Sequence, residues 1–202
     1  MTDGRTGTAD RIAEVALRLF TPHGYAGVSM EQVRRQAGVS NGSLYHHFRS
    51  RAELVAHLFL GGITEAQELT LRTLSQAPDA EAGVRGVVAA QLNWVEQHPE
   101  LARLVYSDPH DEVLLAAEPA FGAHNRRYVE IVSGWLDTHM RRDTLTRRPF
   151  AVAHALWAGP TQEFCRHWLH GRSPLAPHEA AGDLGEGAWA ALTAPGTKRG
   201  ME

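Results

Sequence analysis

Apolar residues recur at a helical spacing along nearly the whole chain. Between Arg11 and Phe20 they stand three and four residues apart, as in the stripe of an amphipathic helix: Ile12, Val15, Ala16, Leu19 and Phe20. Similar apolar spacing returns further along the chain, and no stretch alternates convincingly with the period of a strand. The pattern therefore predicts an all-α protein.

Start and stop signals place the boundaries of the first two helices. Pro22 and Gly24 should end the first helix. Ser29 and Gln32 have the spacing of a capping box, in which two side chains satisfy free N–H groups where a helix begins. Gly38 should end this second helix, because glycine readily adopts the left-handed conformation that follows a helix.

A short third helix should follow at once, capped by Ser40. A second capping box, from Ser50 to Glu53, predicts a longer fourth helix with Leu54 and Leu58 on its apolar face. A helix, a glycine-centred turn and a short polar helix form the layout of a helix-turn-helix, whose second helix enters the major groove of DNA.

The remaining chain is also predicted to be helical, with longer elements. Its helices are expected at about Ala80–Gln97, from Pro99 to Tyr106, from Pro119 onward, from Pro149 to Gly171 and near His178–Leu192. Asp108–Asp111 should form a loop, and Gly159-Pro160 should kink or split its helix. Two domains follow: a three-helix helix-turn-helix DNA-binding domain in residues 1–52 and a larger helical domain in residues 53–202.

The third helix, written SNGSLYHHF, has few apolar residues and a continuous polar face. Leu44 and Phe48 lie within about 40° of each other around the helix, which predicts one narrow buried stripe. The polar and aromatic residues share an arc of about 140° on the other side: Asn41, Gly42, Tyr45, His46 and Arg49. Side chains of these types read base edges and contact phosphates, so this face predicts a nucleic-acid interface.

Residues 11–59 resemble the DNA-binding domain of the tetracycline-repressor-like (TetR) family of bacterial regulators. The shared features are an apolar first helix ending in F-x-x-x-G-Y/F, a Ser/Thr cap, AGVS, a G-S/T-L-Y-x-H/Y-F run and a following S-K/R-x-x-L. The resemblance covers about a quarter of the chain by sequence, and the helical remainder agrees with the family in length and kind. It implies that the chain is a DNA-binding transcription regulator, most often a repressor.

The resemblance also implies roles for individual residues. Base or groove contacts are expected from Asn41, Gly42 and Tyr45, and phosphate contacts from Ser29, Ser43, His47 and Arg51. Ser40 and His46 join this interface through their positions on the third helix. One position departs from the family, since Arg34 stands where a small residue is usual. Arg34 either opens the packing of the two helices slightly or directs its guanidinium towards the DNA backbone.

Composition limits the setting in which the protein acts. Of its 202 residues, 43% are hydrophobic and 21% are charged, as in soluble globular proteins. No apolar run is long enough for a signal peptide or a membrane span, and one cysteine allows no intrachain disulfide, which suits the cytoplasm. The net charge of −3 conceals a basic amino-terminal segment, because residues 1–57 carry seven arginines and five carboxylates. A polyanion should therefore bind to this segment.

The larger domain is expected to hold a ligand pocket and a dimer interface, as the resemblance implies. A cavity for a hydrophobic or aromatic effector with one polar group is assigned to Trp94, Phe121, His124, Tyr128, Trp135 and His154. Homodimerisation is assigned to residues 150–192, with Trp157, Phe164 and Trp168 in the interface. Effector binding would release a palindromic operator. No cofactor or metal is expected.

Two other kinds of regulator, and an enzyme, remain as alternatives. Cys165, His167 and His170 are close enough in sequence to serve a metal-responsive regulator, although a buried thiol with surface imidazoles is the simpler interpretation. A regulator that responds to a protein partner is the other alternative. No coherent catalytic constellation accompanies Cys165, so an enzyme is not expected.

Overall fold

The computed structural model describes residues 7–23, 27–106 and 111–195, and these residues form helices without strands. The predicted all-α fold is therefore confirmed. The helices are α1 (Thr8–His23), α2 (Met30–Ala37), α3 (Asn41–His47), α4 (Arg51–Gln76), α5 (Ala80–Gln97), α6 (Pro99–Val105), α7 (Asp111–Arg141), α8 (Phe150–Leu169) and α9 (Pro177–Thr193). None of the described helices is long and apolar enough to cross a membrane.

The predicted caps around the helix-turn-helix are present. The Ser29 hydroxyl accepts a hydrogen bond from the backbone N–H of Gln32, and the Gln32 side chain accepts one from the backbone N–H of Ser29. Gly38 ends α2 with φ +62°, the left-handed conformation that favours glycine. The Ser40 hydroxyl accepts from the N–H of Ser43, 3.1 Å away, and caps α3.

The cap of α4 differs from the predicted box in one bond. Ser50 accepts from the N–H of Glu53 as expected, at 3.1 Å. The Glu53 carboxylate, however, accepts from the N–H of Arg49 at 2.8 Å, one residue before the cap. This carboxylate thereby ties the segment after α3 to the first turn of α4.

Three proline signals did not end, start or split a helix as predicted. α1 continues through Pro22 and ends at His23. α7 begins at Asp111 and runs through the position of Pro119, since Val113 and Ala117 are buried and hold the earlier turns in place. α8 is continuous through Pro160, so the predicted split is wrong, and a kink there stays a prediction. The rest of the predicted loop before Asp111 lies outside the described residues, as do Gly24 and Tyr25 of the family motif.

The chain divides into two compact units. The head comprises the chain through Ile63 together with Glu100–Gly122, and its core collects buried side chains from α1 to α4 and from α7. The body comprises Thr64–Pro99 and the chain from Ala123 onward, and in it α5 packs chiefly against α9 and α8. The predicted domain boundary after residue 52 was placed by expected function rather than by packing, and it stays a prediction.

Candidate nucleic-acid interface and body cavity

Helix α3 is fastened to the head by two side chains and exposes the others. Leu44 is 0% exposed and Phe48 only 5%, both within the head core. Tyr45 is 46% exposed, and Asn41 and His46 are also exposed, on the polar face. The Tyr45 ring offers apolar area and its hydroxyl offers a hydrogen-bonding group on this face. The arrangement fits a helix whose polar face contacts another molecule.

Gly42 gives this face a flat centre. It lies in the first turn of α3 and is exposed. Besides its chain neighbours and the backbone of its own helix, a Cβ atom placed on it would meet no described atom within 4 Å, so packing in the described fold does not require glycine here. A close approach of the backbone to a partner molecule would require it.

The rings of the two adjacent histidines contact each other. The His46 and His47 rings lie edge to face with their centroids 5.2 Å apart, and both residues are exposed. The His47 ring also lies near Phe48, with a centroid distance of 6.5 Å. Ser43, the remaining predicted contact on α3, is half-buried beside the Ser40 cap.

Arg34 is engaged inside the helix-turn-helix. Its Nε and Nη2 each donate to the Glu31 carboxylate at 2.7 Å, and Nη1 donates to the carbonyl of Val39 at 3.2 Å. The N–H of Val39 in turn donates to the carbonyl of Arg34 at 3.3 Å. The nearby guanidinium lowers the pKa of Glu31 and keeps this pair ionised. Arg34 therefore joins α2 to the turn, and Glu31, three residues earlier on the same helix, is a partner that the family motif does not indicate.

Arg51 connects the start of α4 with the segment before α2. Its Nη1 donates to the carbonyl of Val28 at 3.2 Å, and its side chain is half-buried. Val28 directly precedes Ser29, the cap of α2. The two residues predicted to contact phosphate from outside α3, Ser29 and Arg51, are thus held in one part of the head.

Two of the predicted ligand-binding residues, Tyr128 and His154, meet in the body. They line a cavity of about 10 Å³ together with Thr70, Gln91 and Trp157. The Tyr128 and His154 rings lie edge to face at 6.5 Å. Thr70 and Gln91 were not among the predicted residues. Each is a polar residue beside apolar residues on α4 or α5, and this contrast was the signal that could have identified them.

The other predicted ligand-binding residues lie elsewhere. Trp94 lines a separate groove of about 220 Å³ between α4 and α5. Phe121 belongs to the head and packs against Phe59, with ring centroids 5.8 Å apart. Trp135 stacks on Trp157 at 5.7 Å, and the half-buried His124 has no hydrogen-bond partner for Nε2.

One predicted dimer residue is enclosed within its own chain. Trp157 is 3% exposed, and its indole N–H donates to the carbonyl of Val84 at 3.1 Å, so it is not available to a partner chain. Phe164 and Trp168, one turn apart on α8, are half-buried and could still pack against another molecule.

The groups considered for a metal do not converge. Burial raises the pKa of the Cys165 thiol to about 12, so the thiolate that binds metals is disfavoured. His167 pairs with Glu163 at 3.0 Å, and His170 Nδ1 lies 2.7 Å from the carbonyl of Arg166. Within residues 7–23, 27–106 and 111–195 no group of three or more side chains is placed to hold a metal ion.

The capped turn, the anchored α3 and its exposed polar face define a DNA-binding regulator of the helix-turn-helix class. Residues 12–58 match the family described as bacterial regulatory proteins, tetR family. These residues therefore carry a TetR-family DNA-binding domain.

Proteins of similar sequence and of similar fold include transcription regulators. The transcriptional activator FasR of Mycolicibacterium smegmatis is 23% identical over 180 residues, which cover 88% of this chain and 80% of FasR. The regulator FadR from Bacillus subtilis, solved with stearoyl-CoA, superposes with a TM-score of 0.75 at 15% identity and covers 92% and 98% of the two chains. AibR, solved with isovaleryl coenzyme A and operator DNA, gives 0.69 at 15% identity and covers 94% and 100%.

Proposed function

We propose that this cytoplasmic regulator binds a palindromic operator as a homodimer, represses transcription, and is released from DNA by a small hydrophobic or aromatic effector. The observation that carries the proposal is the exposed polar face of α3, held by Leu44 and Phe48. Asn41, Gly42 and Tyr45 would meet base edges, with His46 beside them. Residues around this face would contact phosphates and fix the docking: Ser29, Arg34, Ser40, Ser43, His47 and Arg51.

The cavity beside Tyr128 supports a role for an effector. It is enclosed by α4, α5, α7 and α8, and its volume of about 10 Å³ is close to that of one water molecule. An organic effector must therefore move these helices apart when it binds. A ligand that prefers the enlarged state shifts the population away from the other state, and such a shift can be coupled to DNA affinity.

The ligands of two proteins of similar fold indicate which effectors to test first. FadR and AibR were solved with acyl-CoA molecules. Since this chain shares their fold at low identity, acyl thioesters are the first effectors to test, together with aromatic compounds. A metal or a protein partner is the alternative trigger.

Homodimerisation is proposed through α8 and α9. Phe164 and Trp168 are large and half-buried, and Val152 on the same helix is 41% exposed. Two α3 helices about 34 Å apart would read half-sites one turn of DNA apart. Light scattering would give the mass in solution, and replacing both Phe164 and Trp168 by serine should yield a monomer.

A gel shift tests the proposal directly. DNA from the region upstream of the gene or of a divergent neighbour should be retarded at low salt, and Tyr45→Ala should weaken the shift. If none of the adjacent intergenic fragments is retarded, the proposal is wrong. Release by small organic molecules, but not by chelators or metal ions, supports the organic effector, and a reporter gene separates repression from activation.

A further inference from the structure

The loop between α7 and α8 concentrates positive charge on the body. Residues 141–148 contain four arginines, Arg141, Arg142, Arg147 and Arg148, and one acid, Asp143. From residue 58 onward, however, acidic residues outnumber basic ones in the chain as a whole. The positive charge of this loop is therefore a local feature of an otherwise acidic part of the chain.

Three of these arginines line one open cavity. Its volume is about 520 Å³, and its described lining residues are Asp137, Met140, Arg141, Arg147, Arg148 and Pro149. Pockets for small molecules commonly have volumes of about 300–1,000 Å³. The lining carries three positive charges and one negative charge, so its electrostatic potential favours anions.

The loop that carries these arginines is held in place by the end of α9. The N–H of Thr146 donates to the carbonyl of Leu192 at 2.9 Å, and its hydroxyl lies 3.0 Å from the carbonyl of Thr193 and 2.9 Å from that of Ala194. Leu145 is 2% exposed and anchors the loop in the body. A site whose groups are already ordered loses less conformational entropy when a ligand binds.

The chain uses only part of the hydrogen-bonding capacity of the three guanidinium groups. The Nη2 of Arg148 donates to the carbonyl of Ala194 at 2.9 Å, whereas its Nε is buried without a hydrogen-bond partner among the described residues. Arg147 lies 3.7 Å from the Asp143 carboxylate, and both side chains are largely exposed, so this pair is weak. Arg141 is exposed and donates to a neutral hydroxyl at 3.3 Å. The remaining N–H groups of Arg141 and Arg147 can donate to the oxygens of an anion.

The first turn of α8 adds to the positive potential. This helix begins at Phe150, has no side-chain cap and has no acidic residue in its first turn. The unpaired N–H groups at the start of a helix favour negative charge nearby. Pro149 directly precedes the helix and lines the cavity, so this helix start lies beside the arginines.

We propose that this cavity binds a small molecule that carries two or more negative charges on phosphate or carboxylate oxygens. The planar guanidinium groups of Arg141 and Arg147 would donate to these oxygens in pairs. A single charge would be held weakly because both side chains are exposed to water, so several charges must act together. The proposal goes beyond the proposed function, since none of these residues lines the cavity beside Tyr128.

Calorimetric titration of the full chain tests the inference. Pyrophosphate is the probe for phosphate oxygens and citrate is the probe for carboxylate oxygens. Acetate at the same ionic strength is the singly charged control. At least one of the two probes should bind about tenfold more tightly than acetate, and added salt should weaken that binding. The probe that binds more tightly identifies the kind of oxyanion that the cavity takes.

Changes of charge inside and outside the cavity locate the site. Arg141→Gln and Arg147→Gln should each weaken binding about 3–10-fold, and neither exposed side chain belongs to the core. Asp137→Asn should tighten binding about 2–3-fold, because it removes the acid from the lining. Arg172→Gln is the control, since it makes the same change of charge at an exposed arginine that does not line the cavity.

Three outcomes overturn the inference. The first is that neither pyrophosphate nor citrate binds more tightly than acetate, and the second is an equal loss of binding in Arg147→Gln and Arg172→Gln. The third is that Arg141→Gln and Arg147→Gln weaken the binding of random-sequence DNA while both probes stay unbound, which would assign this surface to nucleic acid. The proposed function is tested separately by the gel shift without added anion, and its failure would leave the calorimetric result unchanged.

Discussion

Replacing Gly42 by alanine separates folding from DNA binding with a single methyl group. Besides its chain neighbours and the backbone of α3, the new Cβ would meet no described atom within 4 Å, so the described part of the head has room for it. Alanine also favours the helical conformation over glycine by up to about 1 kcal/mol. In a chain of this size that gain corresponds to a rise of about 2–4 °C in melting temperature. The fold should therefore accept the change or be stabilised by it.

DNA binding should respond in the opposite direction. If α3 lies in the major groove with its backbone close to the bases, the methyl group displaces the whole helix and weakens the contacts of Asn41 and Tyr45. A tenfold loss of affinity, about 1.4 kcal/mol, is the least that such a displacement should cause. The assay is fluorescence anisotropy with an operator fragment, run beside thermal unfolding of the same preparation.

A control glycine makes the comparison specific. Gly134 is also exposed within a helix and has no neighbour within 4 Å of an added Cβ. Gly134→Ala should therefore raise the melting temperature without changing DNA affinity. The reasoning is refuted if Gly42→Ala binds DNA like the unmodified protein, or if it loses affinity only because its melting temperature falls.

The remaining predictions concern the head and the cavity. Tyr45→Ala should reduce operator affinity while helical content and mass stay unchanged; a parallel loss of helix would show that Tyr45 supports the core instead. If the Arg34–Glu31 pair positions α3, Arg34→Met and Glu31→Gln should weaken DNA binding by similar, non-additive amounts. If Arg34 instead contacts a phosphate, only Arg34→Met should lower the salt dependence of binding, by about one unit. Arg51→Ala should lower affinity for all DNA sequences and reduce the salt slope by about one; an unchanged slope would exclude its phosphate contact. Because burial lowers the pKa of His154, the unfolded state takes up its proton first as the pH falls below about 6.5, so stability should decrease there, and denaturation of His154→Gln should show a smaller decrease.

The head could be predicted in detail because its signals are local. The cap of α2 and the turn at Gly38 each depend on residues within a few positions of one another, and both are present as expected. The buried stripe of α3 follows from helix geometry alone. Arg34 was less predictable, since its bond to the Val39 carbonyl needs the completed turn as well as the pairing with Glu31.

The body could be predicted only in outline because its contacts join distant helices. Apolar spacing found the helices, but it could not show that Trp157 reaches the Val84 carbonyl and so lies inside the chain. Likewise Phe121 and Tyr128 follow each other on one helix, yet the first packs in the head and the second lines the body cavity. Which aromatic residue serves which site depends on packing partners far away in sequence.

Gly42 departs from the rules of helix formation, and this gives a further test of the interface. Glycine is less favourable than alanine inside a helix, and a Cβ added here would meet no described atom within 4 Å besides its chain neighbours and the backbone of its own helix. Natural proteins accept such costs mainly where function requires them. Selection for thermal stability alone should therefore favour replacement of Gly42, and the variants it returns should be impaired in DNA binding. If Gly42 remains unchanged under that selection, it serves the fold, and the functional assignment of this face loses its physical basis.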